Sequence, residues 1–346
     1  MTIEPQKKNV LIFILKILFE ETDDEHRLSA TEIKEILLSK YNLNVDRKTV
    51  KANLITLLDL DYNIEYETAI RNNSGGREEI FYDWHFVHDF DESELRLLID
   101  SLIFSSHIPE NQCKDLIDKL TTLTSKHFNS HIKHRCLIPN DIQRSEGYFS
   151  VIDFLDEAIA NERQVSFNYT YYDIDKKEKL RRDENGKEIS YVINPYQMVA
   201  ANNHYYLICN HDEYDTVGNY RVDRIRNIKL LDKQARPVKS LPEYKNGLYL
   251  PKHMAEHIYM FSGESIHVKF RIQRTYLSTV VDWFGLSFDI DRIEGDDESV
   301  DISVYVNEKA MHYWALQYGT IAEVIAPKSL RDKISETIKT MGEKYS

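Results

Sequence analysis

Residues Tyr191–Asp232 read YVINPYQMVAANNHYYLICNHDEYDTVGNYRVDRIRNIKLLD. Three apolar-aromatic runs lie in this stretch: Tyr191–Val199, His204–Cys209 and Asn219–Leu231. Turn-forming residues separate them, Ala201-Asn202-Asn203 first and Asn210–Gly218 second. Short runs rich in Tyr, Val and Ile, broken by Asn, Asp and Gly, predict antiparallel strands in a meander. Their spacing fits a small barrel or sandwich. His204, His211, Arg221 and Arg224 fall on these strands, beside Tyr196, Tyr205, Tyr206 and Tyr220. Guanidinium forks next to aromatic faces suit a ligand with phosphates and stackable bases.

Tyr205-Tyr206-Leu207 resembles the Trp-Tyr-Leu signature of the WYL-domain regulators, with Tyr205 where the tryptophan usually stands. Pro195-Tyr196 is similar to the proline that opens that family's second strand. Arg221-x-Asp223-Arg224-Ile225 resembles its R-x-D-R-I element. The resemblance implies an Sm-like, SH3-type β-barrel that senses a ligand, usually behind a DNA-binding domain. It further implies a regulator of DNA-damage responses, phage defence or metabolism. The candidate ligand residues are Tyr196, Tyr206, His211, Arg221 and Arg224, with Arg182 from the charged arm Asp173–Ser190. Arg221 is the favoured contact, and Tyr196 the ring on which a base would stack. Arg221 and Arg224 stand three apart, so an ideal strand turns them to opposite faces unless a bulge realigns them.

A length of 346 residues predicts two or three domains, and 42% hydrophobic residues are enough for ordinary cores. A net charge of −13 argues against non-specific polyanion binding but permits a local basic patch. Cys113, Cys136 and Cys209 are far apart, which fits a reducing cytoplasm and no disulfide framework. The longest apolar run, Val10–Phe19, is interrupted by Lys16 and is too short to span a bilayer. A cytoplasmic protein with no membrane partner and no targeting segment is expected. Nothing in the chain implies a cofactor.

Upstream, three helices precede a hairpin. A first helix covers residues 7–21. The capping box Ser29-Ala30-Thr31-Glu32 starts a second near Ala30, and Asp46 caps a third with Val50, Leu54, Leu57 and Leu58 inward. The strands Ile64–Tyr66 and Glu79–Trp84 flank a Ser74-Gly75-Gly76 loop. That order is a winged helix-turn-helix. Arg47, Lys48, Thr49, Lys51 and Asn53 then point mainly outward, where Arg and Lys suit guanine or phosphate and Asn suits adenine. The segment also resembles the R-R-T-I-x-R-D-L recognition helix of DeoR-like winged helices, with Ala52 in place of the second Arg and Lys51 adjacent. Arg71 and Arg77 flank the wing tip. Residues 1–83 hold eleven Lys/Arg against sixteen Asp/Glu, a balance of −5, but the bases cluster at 47–51 and the acids at 20–25 and 59–67.

Between the two ends, residues 91–130 predict a helical hairpin, with Leu95, Leu98, Ile99 and Leu102, then Leu116, Leu120 and Leu123, inward. His127, His131 and His134 share a helical spacing but lack further ligands, so a polar face is preferred to a metal site. Residues 148–162 predict an amphipathic helix with Val151, Phe154, Leu155 and Ile159 inward. After residue 237 the order β-α-β-β-α-β is ferredoxin-like and resembles the C-terminal extension that often follows WYL domains. The fold class is thus α+β and multidomain: winged helix-turn-helix (1–88), helical linker (89–146), Sm/SH3-like β-barrel (147–236) and ferredoxin-like domain (237–346).

No G-x-S-x-G, H-E-x-x-H, G-x-x-x-x-G-K-[ST] or G-x-G-x-x-G occurs, and no nucleophile stands beside a base, so a non-enzymatic chain is expected. The reading is a homodimeric, ligand-responsive transcription factor. Its partners would be a duplex DNA operator and a nucleic-acid-derived effector, single-stranded DNA or a nucleotide. The alternative is an accessory protein that does not bind DNA, senses a ligand and modulates a defence enzyme through protein contacts.

Overall fold

The computed structural model describes residues 9–73, 76–105, 108–128 and 147–346. They fall into two compact units, 1–143 and 144–346. No helix among the described residues is long and apolar enough to cross a membrane.

The first unit opens with α1 (Val10–Glu21), α2 (Ala30–Tyr41) and α3 (Arg47–Asp59). Both local caps form. Ser29 and Glu32 close a reciprocal capping box on α2, and the Asp46 carboxylate accepts from Thr49 N at 2.7 Å. Ile14, Ile17, Leu18, Ile33, Leu37, Val50, Leu54 and Leu57 bury a common core with Trp84. Strands β1 (Ile64–Asn73) and β2 (Gly76–Phe86) pair antiparallel, and a bridge joins Leu28 to Trp84. Both strands run well beyond the expected Ile64–Tyr66 and Glu79–Trp84. The apolar run marks only the packed base of the hairpin. Beyond it, each strand satisfies the other's peptide groups, so pairing extends into polar sequence.

Next come α4 (Glu92–Phe104), with an Asp91–Glu94 capping box, and α5 (Glu110–Thr121). The inward faces differ from expectation. Leu95, Ile99 and Ile103 are buried on α4, and Cys113, Ile117 and Thr121 on α5. Leu98 and Leu123 are exposed instead. A Leu-rich helix offers two apolar stripes about one residue apart, and only the facing helix selects between them. His127 stacks on His26 at 3.7 Å, and His131 and His134 lie outside the described residues.

The second unit starts with α6 (Tyr148–Ala160), which buries Tyr148, Leu155 and Ala158 while Phe154, expected inward, is 42% exposed. The strands that follow are β3 (Arg163–Tyr172), β4 (Glu178–Leu180), β5 (Ser190–Ala201), β6 (His204–Asn210), β7 (Gly218–Arg221) and β8 (Ile225–Gln234). Their order is β4-β3-β5-β6-β7, with β8 paired to β3. The expected single run 219–231 is therefore two strands, divided by a 3₁₀ turn at Val222–Arg224. Strands β7 and β8 do not pair, so the sheet has barrel-like order without closure.

After α7 (Leu250–Glu256) come β9 (Ser265–Gln273), α8 (Leu277–Phe284), β10 (Asp289–Ile293), β11 (Asp296–Asn307), α9 (Glu308–Gln317), β12 (Ala322–Ala326) and α10 (Lys328–Tyr345). Sheet order β10-β11-β9-β12 is that of a ferredoxin-like domain. Trp314, Phe270 and Phe284 fill the core beneath the helices.

A buried polar cluster ties the first sheet together. Gln164 Nε2 on β3 donates to Asn194 Oδ1 on β5 (2.8 Å) and to Asp212 Oδ2 (2.9 Å). Asn194 Nδ2 donates to Asp212 Oδ1 (2.8 Å), while Arg236 N donates to Asn194 Oδ1 (2.9 Å). Lys233 Nζ meets Asp212 at 2.6 Å. These donors, led by Lys233, hold the Asp212 carboxyl down to about 2 from its ordinary 3.8. A depressed carboxyl contributes stability above its unfolded value and loses it as pH falls through the folded one. Asp212→Asn should therefore cost about 1 kcal/mol at pH 7, a figure discounted because the side chain is 42% exposed. Chemical melts of parent and variant should converge between pH 4 and pH 2.

Candidate nucleic-acid interfaces

On α3 the buried Val50, Leu54 and Leu57 fix which side faces solvent. Arg47 and Lys48 are exposed, and Thr49 and Lys51 half-buried. Among the described residues no side chain of Arg47, Lys48 or Lys51 makes a hydrogen bond or ion pair. Three cations thus stand on one capped turn of helix, with the cap carboxylate Asp46 as the acidic neighbour whose charge Lys48 feels. Asn53 is different: its Nδ2 donates to Thr49 O at 2.8 Å, so its amide is already engaged with the helix backbone. In the hairpin, Arg71 stands opposite Glu78 and Arg77 opposite Asn72, close to the Asn73–Gly76 end, and both arginines are exposed. The tip residues Ser74 and Gly75 lie outside the described residues.

The barrel candidates divide between two faces of the sheet. Tyr206 and Ile208 on β6 pack with Val199, Val217, Leu241, Tyr244 and Met260, and Tyr196 lies against the same cluster. The Tyr196 hydroxyl donates to Arg236 O at 3.0 Å. Both phenols are therefore under the chain that follows β8. On the opposite face, Phe167 and Tyr169 of β3, Tyr191 of β5 and Tyr220 of β7 form an aromatic cluster with ring centroids 5.0–6.4 Å apart, Phe167 stacked on Tyr191 and the other pairs tilted or edge-to-face. His211 joins them, with Nε2 2.9 Å from the Tyr220 hydroxyl. Burial lowers the His211 value against the pull of Val192's backbone, Glu213 and Asp212, so this ring favours the neutral form.

The two arginines of the R-x-D-R element are not equivalent. Arg221 forks onto Asp223, Nε to Oδ1 at 3.0 Å and Nη2 to Oδ2 at 2.6 Å. Burial opposes ionisation of Asp223, yet Arg221, with His204 and Arg224, holds its carboxyl below the usual range. The Arg221 N–H donates to the Tyr169 hydroxyl at 3.0 Å. Arg224 lies one residue past Asp223, at the end of the 3₁₀ turn. Its charge is felt by Tyr169, Tyr172, Tyr206 and Asp223, and its Nε is buried without a hydrogen-bond partner. The turn resolves the i, i+3 problem by breaking the strand, leaving one arginine locked and the other unsatisfied.

Arg182 stays within the charged arm, pairing with Glu188 at 3.3 Å. Its neighbour Arg181 lies over the Tyr169 ring at 5.3 Å. Arg226, which sequence reasoning missed, donates to Asp223 O and Ile225 O (both 2.8 Å) and pairs with Glu178 of β4. Tyr169 and Tyr191, members of the aromatic cluster, were not among the sequence candidates.

Residues 150–230 match the WYL domain and residues 264–342 the WCX domain. The chain thus carries a WYL domain followed by a WCX domain. No curated protein matches it. Among solved structures, proteasome accessory factor B/C (PafBC) of Arthrobacter aurescens aligns with 99% of this chain at 14% identity and a TM-score of 0.31. This chain covers 50% of that one, so it spans about half its length. A CRISPR Cas-related protein aligns with 98% of this chain, 84% of its own, at 13% identity and a TM-score of 0.37.

The locked and unsatisfied arginines should respond unequally to truncation. Arg221→Ala strips a half-buried carboxylate of its fork and should cost about 2 kcal/mol in denaturant melts. Arg224→Ala removes an unsatisfied donor and should change stability by less than about 0.5 kcal/mol.

Proposed function

We propose that this chain, with its WYL and WCX domains following a three-helix-and-hairpin unit in sequence, is a DNA-binding transcriptional regulator in DNA-damage or defence control. Its WYL domain would take a nucleic-acid-derived ligand, single-stranded DNA or a nucleotide, and its role is regulatory and not enzymatic. The observation that carries this reading is the set Arg47, Lys48 and Lys51, unpaired on the outward face of a capped helix. Phosphate oxygens supply the charge these side chains lack within the chain. Arg71 and Arg77 on the following hairpin suit the adjacent backbone. The division 1–88, 89–146, 147–236 and 237–346 belongs to the same proposal. In the barrel, Arg224 is the ligand contact in place of Arg221, with Tyr169 near it and Arg181 over the Tyr169 ring.

A homodimer completes the reading, because one recognition helix offers few base contacts for tight specific binding. On α4, Leu97 is 69% and Phe104 77% exposed, an apolar surface suited to a second copy. Light scattering at micromolar concentration should give twice the 40.8 kDa chain mass. A monomer, with and without operator, would count against the dimer.

The DNA reading is tested on duplexes recovered by genome-wide footprinting. The triple variant Arg47→Ala, Lys48→Ala, Lys51→Ala should bind at least about tenfold more weakly, with a salt slope flatter by two to three units. Unchanged affinity would transfer weight to the accessory-protein alternative.

A further inference from the structure

A cavity of about 660 Å³ opens between the chain that follows the first sheet and the uncovered face of the ferredoxin-like sheet. Its size suits a small molecule. Tyr244 and Tyr249 wall it from one side, and Tyr305 on β11 from the other, where the His267 ring of β9 lies 4.8 Å from it. Glu243 and Glu256 are its acidic groups, and Lys252 is at its rim.

The two carboxylates are poorly compensated. Glu243 is exposed and makes no hydrogen bond or ion pair among the described residues, so water is its present partner. Glu256, whose side chain is only 12% exposed, has one cation, Lys252 at 3.6 Å, on a side chain 65% exposed. Burial pushes the Glu256 carboxyl up; Lys252 opposes that, and the charge of Glu243 adds to it. A buried carboxylate in this state gains from a cation that enters the cavity.

The walls favour an organic cation over a bare ion. Burial, then Glu243 and Glu256, raise the hydroxyls of Tyr244 and Tyr305, so both rings are neutral and present π faces. His253 closes the inner side as a neutral group, held down to about 3 by burial and by neighbouring His257. Its ring lies 3.3 Å from the Tyr244 hydroxyl and 3.3 Å from Asn219 Oδ1. A ring protonated at Nε2 satisfies both contacts and brings no competing charge. No cluster of three metal-ligating side chains occurs among the described residues.

We infer that this cavity binds a small organic ammonium ion, its charged head between Glu243 and Glu256 and its alkyl groups against the tyrosine rings. Lys252, at the rim and already mostly exposed, gives up its 3.6 Å contact with Glu256 to the ligand. The inference stands apart from the DNA and barrel readings, since no residue is shared.

The test is isothermal titration of the full-length protein at fixed ionic strength with spermidine, tetramethylammonium and N-acetyl-lysine methylamide. Saturable binding of at least one is expected, weakened tenfold or more in Glu243→Gln, Glu256→Gln with its melt unchanged. Spermidine binding tighter than the lysine derivative marks a free polyamine as the source, and the reverse order a lysine side chain. If the double variant melts early, Tyr305→Leu replaces it and should lower affinity at least threefold. No saturable binding, equal affinity in the variants, or equal competition by Mg²⁺ at the same ionic strength would overturn the inference.

Discussion

Gln164, Asn194, Asn210 and Asp212 make up the polar constraint on which the first sheet of the second unit depends. Asn194 and Asn210 are fully buried and Gln164 nearly so. A buried amide without partners costs free energy, so the fold must supply each one. It does so by bringing together β3, β5, the end of β6 and the exit of β8. Asn210 Nδ2 reaches Tyr214 O and Thr216 O at 2.8 Å, which shapes the loop between β6 and β7. That loop sets where His211 enters the aromatic cluster. Register, loop and ligand-facing ring are thus coupled through hydrogen bonds that tolerate little slippage.

The same logic acts at the 3₁₀ turn. Arg221, Asp223 and Arg226 satisfy one another and the turn carbonyls, and β4 is tied in through Glu178. With Val222–Arg224 extended, β7 and β8 would have been one continuous strand. Breaking the run there separates the roles of the two arginines. One holds the turn, and its fork is unavailable. The other keeps an unsatisfied Nε among tyrosines, where an anionic ligand would complete it.

Features fixed by neighbours in sequence were legible in advance. The caps at Ser29 and Asp46, the inward face of α3 and the β-α-β-β-α-β order all follow from local chemistry and periodicity. Features chosen by distant partners were not. Leu116 or Ile117, Leu98 or Ile103, and Phe154 or Ala158 compete for one helix face, and the opposing surface decides. Tyr196 and Tyr206 look like stacking rings in sequence, but the segment reaching Leu241, Tyr244 and Met260 covers them. The hairpin strands outran their apolar signal because backbone pairing has no sequence signature of its own. Arg182 and Arg181 differ by one residue, and strand alternation in a short arm determined which of them reached Tyr169.

Charge gives the last step. The first unit's acidic balance argues against nucleic acid only if its carboxylates are available to repel it. Many are already engaged. Glu20 and Glu21 bind Lys40, Glu21 also binds Lys126, Asp23 accepts from His26 and Ser125, and Glu67 pairs with Arg27. The pairs with Lys and Arg cancel at short range, and the residual field decays within about 8 Å at physiological salt. The unpaired Arg47, Lys48 and Lys51 have no such partner, so the local potential over α3 is set by them and not by the sum over the unit. A phosphate backbone approaching that face meets three cations against the one cap carboxylate, Asp46, and this local excess, more than net charge, governs association.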